Sequence, residues 1–130
     1  MSDTVELTLP VHADLVVLAR FAAATIASRA DFDVEEIEDF RLAVEELCLS
    51  VIDGSSDGRL EIRFLRDEGQ VEVACDFQPT TGSRPDTSGA ERRNELSYLL
   101  VEALVDEHGQ EVEDGHRKAW LRKRRALRPH

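Results

Sequence analysis

A chain of 130 residues with 42% hydrophobic and 33% charged side chains has apolar material for one globular core and a single domain. No run approaches the ~20 apolar residues of a membrane span, and the opening MSDTVELTLP lacks the basic-then-apolar order of a secretion signal, so a cytoplasmic protein is expected. The net charge of −11 is uneven: residues 117–130 hold seven Lys/Arg and no acid, leaving nine basic against 27 acidic side chains in the body, which excludes a nucleic-acid surface there and suits a basic protein partner.

In chain order, Val5 to Leu9 alternates apolar and polar residues and stops at Pro10, which predicts a first or edge strand. From His12 to Arg29 the Ala/Leu-rich run predicts a helix with Leu15, Leu18, Phe21, Ala22, Thr25 and Ile26 on its buried face and Asp14 at its N-terminus. The strongest helix pattern follows. Ile37, Phe40, Val44, Leu47 and Val51 mark one face, widened by Ala43, Cys48 and Ile52, and Asp33 with Glu36 forms a capping box ahead of it. Asp39, Glu46, Ser50 and Asp53 share a polar flank of that helix, since their spacings are three, four and seven. The run from Asp53 to Gly58 ends it.

Arg59 to Leu65 and Gln70 to Phe77 read as an antiparallel hairpin, with Leu60, Ile62, Phe64, Val71, Val73 and Cys75 facing inward. Residues 78–93 have almost no apolar side chain and form a long, lid-like loop. A third helix is expected from Asn94 to Glu107 with Leu96, Leu99, Leu100, Ala103 and Leu104 buried, and a closing hairpin on either side of Asp114-Gly115. Cys48 and Cys75 read as buried reduced thiols, because neither belongs to a CxxC or Cys/His group. The element order argues for an α+β fold: a two-layer sandwich with helices on one face of a mostly antiparallel mixed sheet. Residues 1–122 form that single domain and residues 123–130 a basic tail.

The run Arg41 to Ser50, RLAVEELCLS, resembles the helix that carries the E-x-x-x-N box of the histidine-kinase-like (GHKL) ATPase superfamily, and within it the anti-sigma-factor serine kinases. The resemblance implies a Bergerat-type nucleotide fold. It implies Glu46 at the catalytic Glu position and Ser50 where the magnesium-binding Asn belongs. It implies Asp76 as the adenine-contacting Asp of a D-x-G-x-G box, with Gln78 and Pro79 following in place of the expected permissive backbone. The second glycine box, which opens the third helix towards the phosphates, is replaced by Glu95 to Val101, with Glu95 and Ser97 at the two glycine positions.

From the residues alone, Glu46 also reads as a helix carboxylate paired with Arg41 or Arg20, and Ser50 as a hydroxyl bonded to the preceding turn. The resemblance implies a homodimeric regulator that binds a sigma factor and an anti-anti-sigma (STAS) partner stoichiometrically. With its ATP site largely lost, it needs no cofactor; an intact site implies ATP, magnesium and serine kinase activity on the STAS partner. A plain dimerisation or scaffold module is the third reading. No direct nucleic-acid or membrane contact is expected.

Overall fold

The computed structural model describes residues 2–52, 58–80, 90–113 and 116–126. Five strands, β1 (Asp3–Pro10), β2 (Gly58–Asp67), β3 (Gln70–Pro79), β4 (Glu107–Glu113) and β5 (His116–Arg124), form one sheet in the order β1-β2-β3-β5-β4. All four pairings are antiparallel, so among the described residues the sheet has no parallel pair. Helices α1 (Val16–Arg29), α2 (Val34–Val51) and α3 (Ala90–Leu104) provide the α-layer of this α+β fold, and a single 3₁₀ turn, Ala13–Leu15, leads into α1.

Alternation along the strands decides which face is covered. Leu60, Ile62 and Phe64 on β2, Val71, Val73, Cys75 and Phe77 on β3, and Ala119 and Leu121 on β5 are all buried beneath the helices. The centre of the helical layer is α2, which contributes Phe40, Ala43, Val44, Leu47, Cys48 and Val51 to the core, as its apolar spacing predicts. Its start is fixed by the expected capping box. The Asp33 carboxylate accepts from the Glu36 N–H, and the Glu36 carboxylate accepts from the Asp33 N–H, both at 2.8 Å.

Two helices turn a different face inward from the one their large residues suggest. On α1 the buried residues are Val16, Ala19, Ala23, Ile26 and Ala27, while Leu18 and Phe21 are exposed. Small alanines let α1 lie close against α2, and a bulkier face would hold the two helices apart. On α3 Ser97 and Val101 are buried and Leu104 is partly covered, whereas Leu96, Leu99 and Leu100 are exposed. This helix also runs from Ala90 to Leu104 instead of Asn94 to Glu107, and Glu107 opens β4.

The β2–β3 hairpin turns at Glu68-Gly69, where Gly69 adopts φ +66 at no steric cost. β5 runs through Lys123 and Arg124, the first residues of the expected basic tail. Beyond it the Arg125 N–H donates to the Gly69 carbonyl at 2.7 Å, and the Ala126 N–H donates to the Glu36 carboxylate at 2.7 Å. No helix among the described residues is long and apolar enough to cross a membrane.

Candidate functional site

The polar flank of α2 faces α3 and β4. Glu46 accepts a 2.8 Å hydrogen bond from the hydroxyl of Ser97, which is buried on α3. One turn later Ser50 is also buried; its hydroxyl donates to the Leu47 carbonyl at 2.7 Å and accepts from Gln110 Nε2 at 3.4 Å. Glu46 and Ser50 are therefore brought together as the helix spacing requires, and both are already engaged within the protein. The two arginines considered as partners for Glu46 pair elsewhere: Arg41 with Glu38 at 2.7 Å and Arg20 with Glu45 at 3.6 Å.

Asp76 is not part of this group. On β3 its neighbours Cys75 and Phe77 point into the core, so its side chain projects from the opposite face of the sheet. There it lines a groove of about 430 Å³ with Glu6, Glu61, Arg63, Lys118 and Trp120. His116 Nδ1 lies 3.5 Å from Asp76 Oδ1 without making a hydrogen bond, and this oxygen is buried with no hydrogen-bond partner.

The start of α3 governs what its backbone can offer to an anion. With the helix beginning at Ala90, Glu95 and Ser97 lie beyond the first four residues, whose N–H groups lack intrahelical partners. Their own N–H groups point to carbonyls one turn earlier. Glu95 instead lines a second groove of about 380 Å³ with Tyr98, Leu99 and Gln110. The Tyr98 and His108 rings, 4.6 Å apart and edge to face, fasten α3 to β4 at this point. On β5 Arg117 shares the covered face with Ala119 and Leu121, and its Nη1 is buried without a hydrogen-bond partner.

Among the described residues no group of three or more His, Cys, Asp or Glu side chains is placed to hold a metal. Asp53 and most of the 78–93 loop, including Gly82 and Gly89, lie outside the described residues. Sequence reasoning missed Gln110, because a contact 60 residues distant leaves no local pattern. It also missed the Ser97 hydroxyl as a partner, although the loss of glycine at that position was the available signal.

The family profile described as the histidine kinase-like ATPase domain matches residues 9–123, which take in all three helices and the sheet except most of β1 and the last residue of β5. The chain belongs to the histidine kinase-like ATPase family. Its relatives place this ATPase-family domain on the serine-kinase branch. It is 36% identical over 123 residues to the serine-protein kinase RsbW of Listeria monocytogenes, a match covering 82% of this chain and 78% of that protein. It is 28% identical over 122 residues to the serine-protein kinase RsbW of Bacillus subtilis, covering 82% and 76%. The corresponding protein of Halalkalibacterium halodurans is 28% identical over 120 residues, covering 80% and 73%.

Proposed function

We propose that this domain is an anti-sigma-factor-like regulator that acts by stoichiometric protein–protein binding and whose nucleotide site is largely lost. The observation that carries this reading is the Ser97–Glu46 hydrogen bond. Where the family places a glycine, a hydroxyl-bearing side chain fills the space beside the one retained candidate catalytic carboxylate and donates to one of its two oxygens.

The family implies ATP, usually with magnesium, and the residues present are a poor fit to both. The Ser50 hydroxyl is a neutral oxygen that already accepts from Gln110 Nε2, the backbone at Glu95 and Ser97 is inside a helix, and Glu95 opposes phosphate charge. Asp76 faces the other side of the sheet. No phosphoryl-transfer step is therefore assigned. The partners are a sigma factor and an anti-anti-sigma (STAS) protein, bound by a cytoplasmic homodimer. The acidic body favours encounter with basic helices of the sigma factor and sets on-rate and selectivity more than affinity.

The test is calorimetric titration of the full chain with ATP and magnesium, alongside co-purification with candidate sigma factors. No saturable heat at millimolar nucleotide, with a sigma factor retained in fixed ratio, is the expected result. Saturable ATP binding overturns the lost-site reading. It would favour the second one, an ATP-dependent serine kinase of the STAS partner, which the retained Glu46 and the names of the relatives support.

A further inference from the structure

Cys48 on α2 and Cys75 on β3 are the only cysteines of the chain, and they meet in the core with their sulfurs 3.6 Å apart. Their exposures are 0% and 1%. The contact joins the helical layer to the middle strand of the sheet. Cys48 lies between Glu46 and Ser50, and Cys75 immediately precedes Asp76, so the pair is within two residues of each of these three positions.

We infer that Cys48 and Cys75 form an oxidation site, at which a hydroperoxide converts the two thiols into a disulfide that staples α2 to β3. One sulfur attacks a peroxide oxygen, the O–O bond breaks, and the sulfur becomes a sulfenic acid as water or an alcohol leaves. The second sulfur then attacks the sulfenic sulfur, the S–S bond forms, and water leaves. Two electrons pass from the sulfurs to the peroxide, and both thiol protons end on the departing oxygens.

Geometry favours this pairing over any other fate of the thiols. A disulfide is about 2.05 Å long, so from their 3.6 Å contact the sulfurs have to close by roughly 1.5 Å. Each sulfur also has the other as its nearest reactive neighbour, so a sulfenic acid formed on one is captured before a second oxidant arrives. The contact with Cys48, and then burial, raise the Cys75 pKa well above the ordinary thiol range and keep it protonated. Reaction consequently waits for excursions of α2 away from the sheet, and its rate reports them. Once made, the bond removes those excursions.

The experiment treats the full native chain with hydrogen peroxide, denatures it, alkylates free thiols and maps the products by mass spectrometry. A monomer that has lost two hydrogens, resists alkylation and yields a Cys48–Cys75 cross-linked peptide is expected. Its thermal midpoint should rise and fall back on addition of dithiothreitol, while Cys75→Ser should show neither the cross-link nor the rise. Thiols that remain alkylatable, sulfinic or sulfonic products, or a disulfide-linked dimer overturn the site. A cross-link that leaves the midpoint unchanged or lower overturns the staple. If Cys75→Ser does not fold, the wild-type peptide map alone decides, and neither readout depends on whether the domain binds nucleotide.

Discussion

The Ser97 hydroxyl and the Glu46 carboxylate, 51 residues apart in sequence, are joined at 2.8 Å across the α2–α3 interface. The bond accompanies the rotation of α3 that turns Ser97 and Val101 inward and the leucines outward, and it engages one of the two Glu46 carboxylate oxygens. Ser97→Ala leaves a partly buried carboxylate without this donor and is expected to lower stability by about 1–2 kcal/mol in urea denaturation. Glu46→Gln keeps a carbonyl acceptor in place and should cost less than Ser97→Ala. The reverse order would show that the bond does not hold the helices together.

The N-terminus of α2 supplies a second prediction. Asp33 satisfies the Glu36 N–H at the most exposed end of the helix that centres the core. Asp33→Ala should cost about 1 kcal/mol, and Asp33→Asn or Asp33→Ser distinctly less, because both keep an acceptor for the same N–H. Equal losses for all three in chemical denaturation would place the effect outside the cap.

How far the sequence could be read depended on whether a signal was local. The capping box of α2, its apolar stripe and the alternation of the β2–β3 hairpin all lie within one element, and each is seen in the structure. On α1 the apolar residues run nearly all round the helix, so size suggested Phe21 and Leu18 for the core. Packing against α2 instead selected Ala19, Ala23 and Ala27. The same failure of local pattern hid the Ser97–Glu46, Gln110–Ser50 and Cys48–Cys75 contacts, which exist only once the sheet order brings α2, α3, β3 and β4 together. Asp76 was assigned by its place in a motif, and strand alternation then put its side chain on the open sheet face.

Acid sensitivity should centre on two carboxylates. The hydrogen bonds from Arg66 and then Arg29 hold the Asp3 pKa below its ordinary 3.8, and Arg124 and Arg122 lower that of Glu107 from 4.5. For a lowered folded-state pKa, the stabilisation is present above the unfolded value and is lost as pH falls through the folded one. The gap in stability between wild type and Asp3→Asn should thus be constant at neutral pH and shrink as pH falls below about 4. Glu107→Gln should behave alike, beginning near its slightly higher ordinary value. A gap that widens in acid would reverse the assignment.

The indole of Trp120, the only tryptophan, packs over Gly109 on the neighbouring strand. A Cβ at residue 109 would lie 2.5 Å from the indole Nε1 and 3.0 Å from Cε2, closer than nonbonded atoms approach. The ring is rigid, so the whole side chain has to shift, which disturbs its contact with the Arg122 guanidinium 5.6 Å from its centroid. Gly109→Ala should shift the fluorescence emission and cost about 1–3 kcal/mol by overpacking. An unchanged spectrum would mean that the indole does not cover Gly109.

The two faces of α1 provide the sharpest energetic contrast in the helical layer. Phe21 is 62% exposed, so Phe21→Ala removes little buried surface and should cost under about 1 kcal/mol, against the ~3–5 kcal/mol typical of a buried phenylalanine such as Phe40. Ala23, in contrast, is fully buried against its neighbours, and Ala23→Leu must push α1 away from the layer beneath it. A loss of about 1–3 kcal/mol or more is expected there, although the substitution adds apolar surface. If α1 instead buried its large residues, the ranking would invert: Phe21→Ala would be the damaging change and Ala23→Leu a mild one. Equilibrium denaturation of these two variants therefore decides the orientation of α1 without any knowledge of its partners, and with it whether Leu18 and Phe21 are available on the surface.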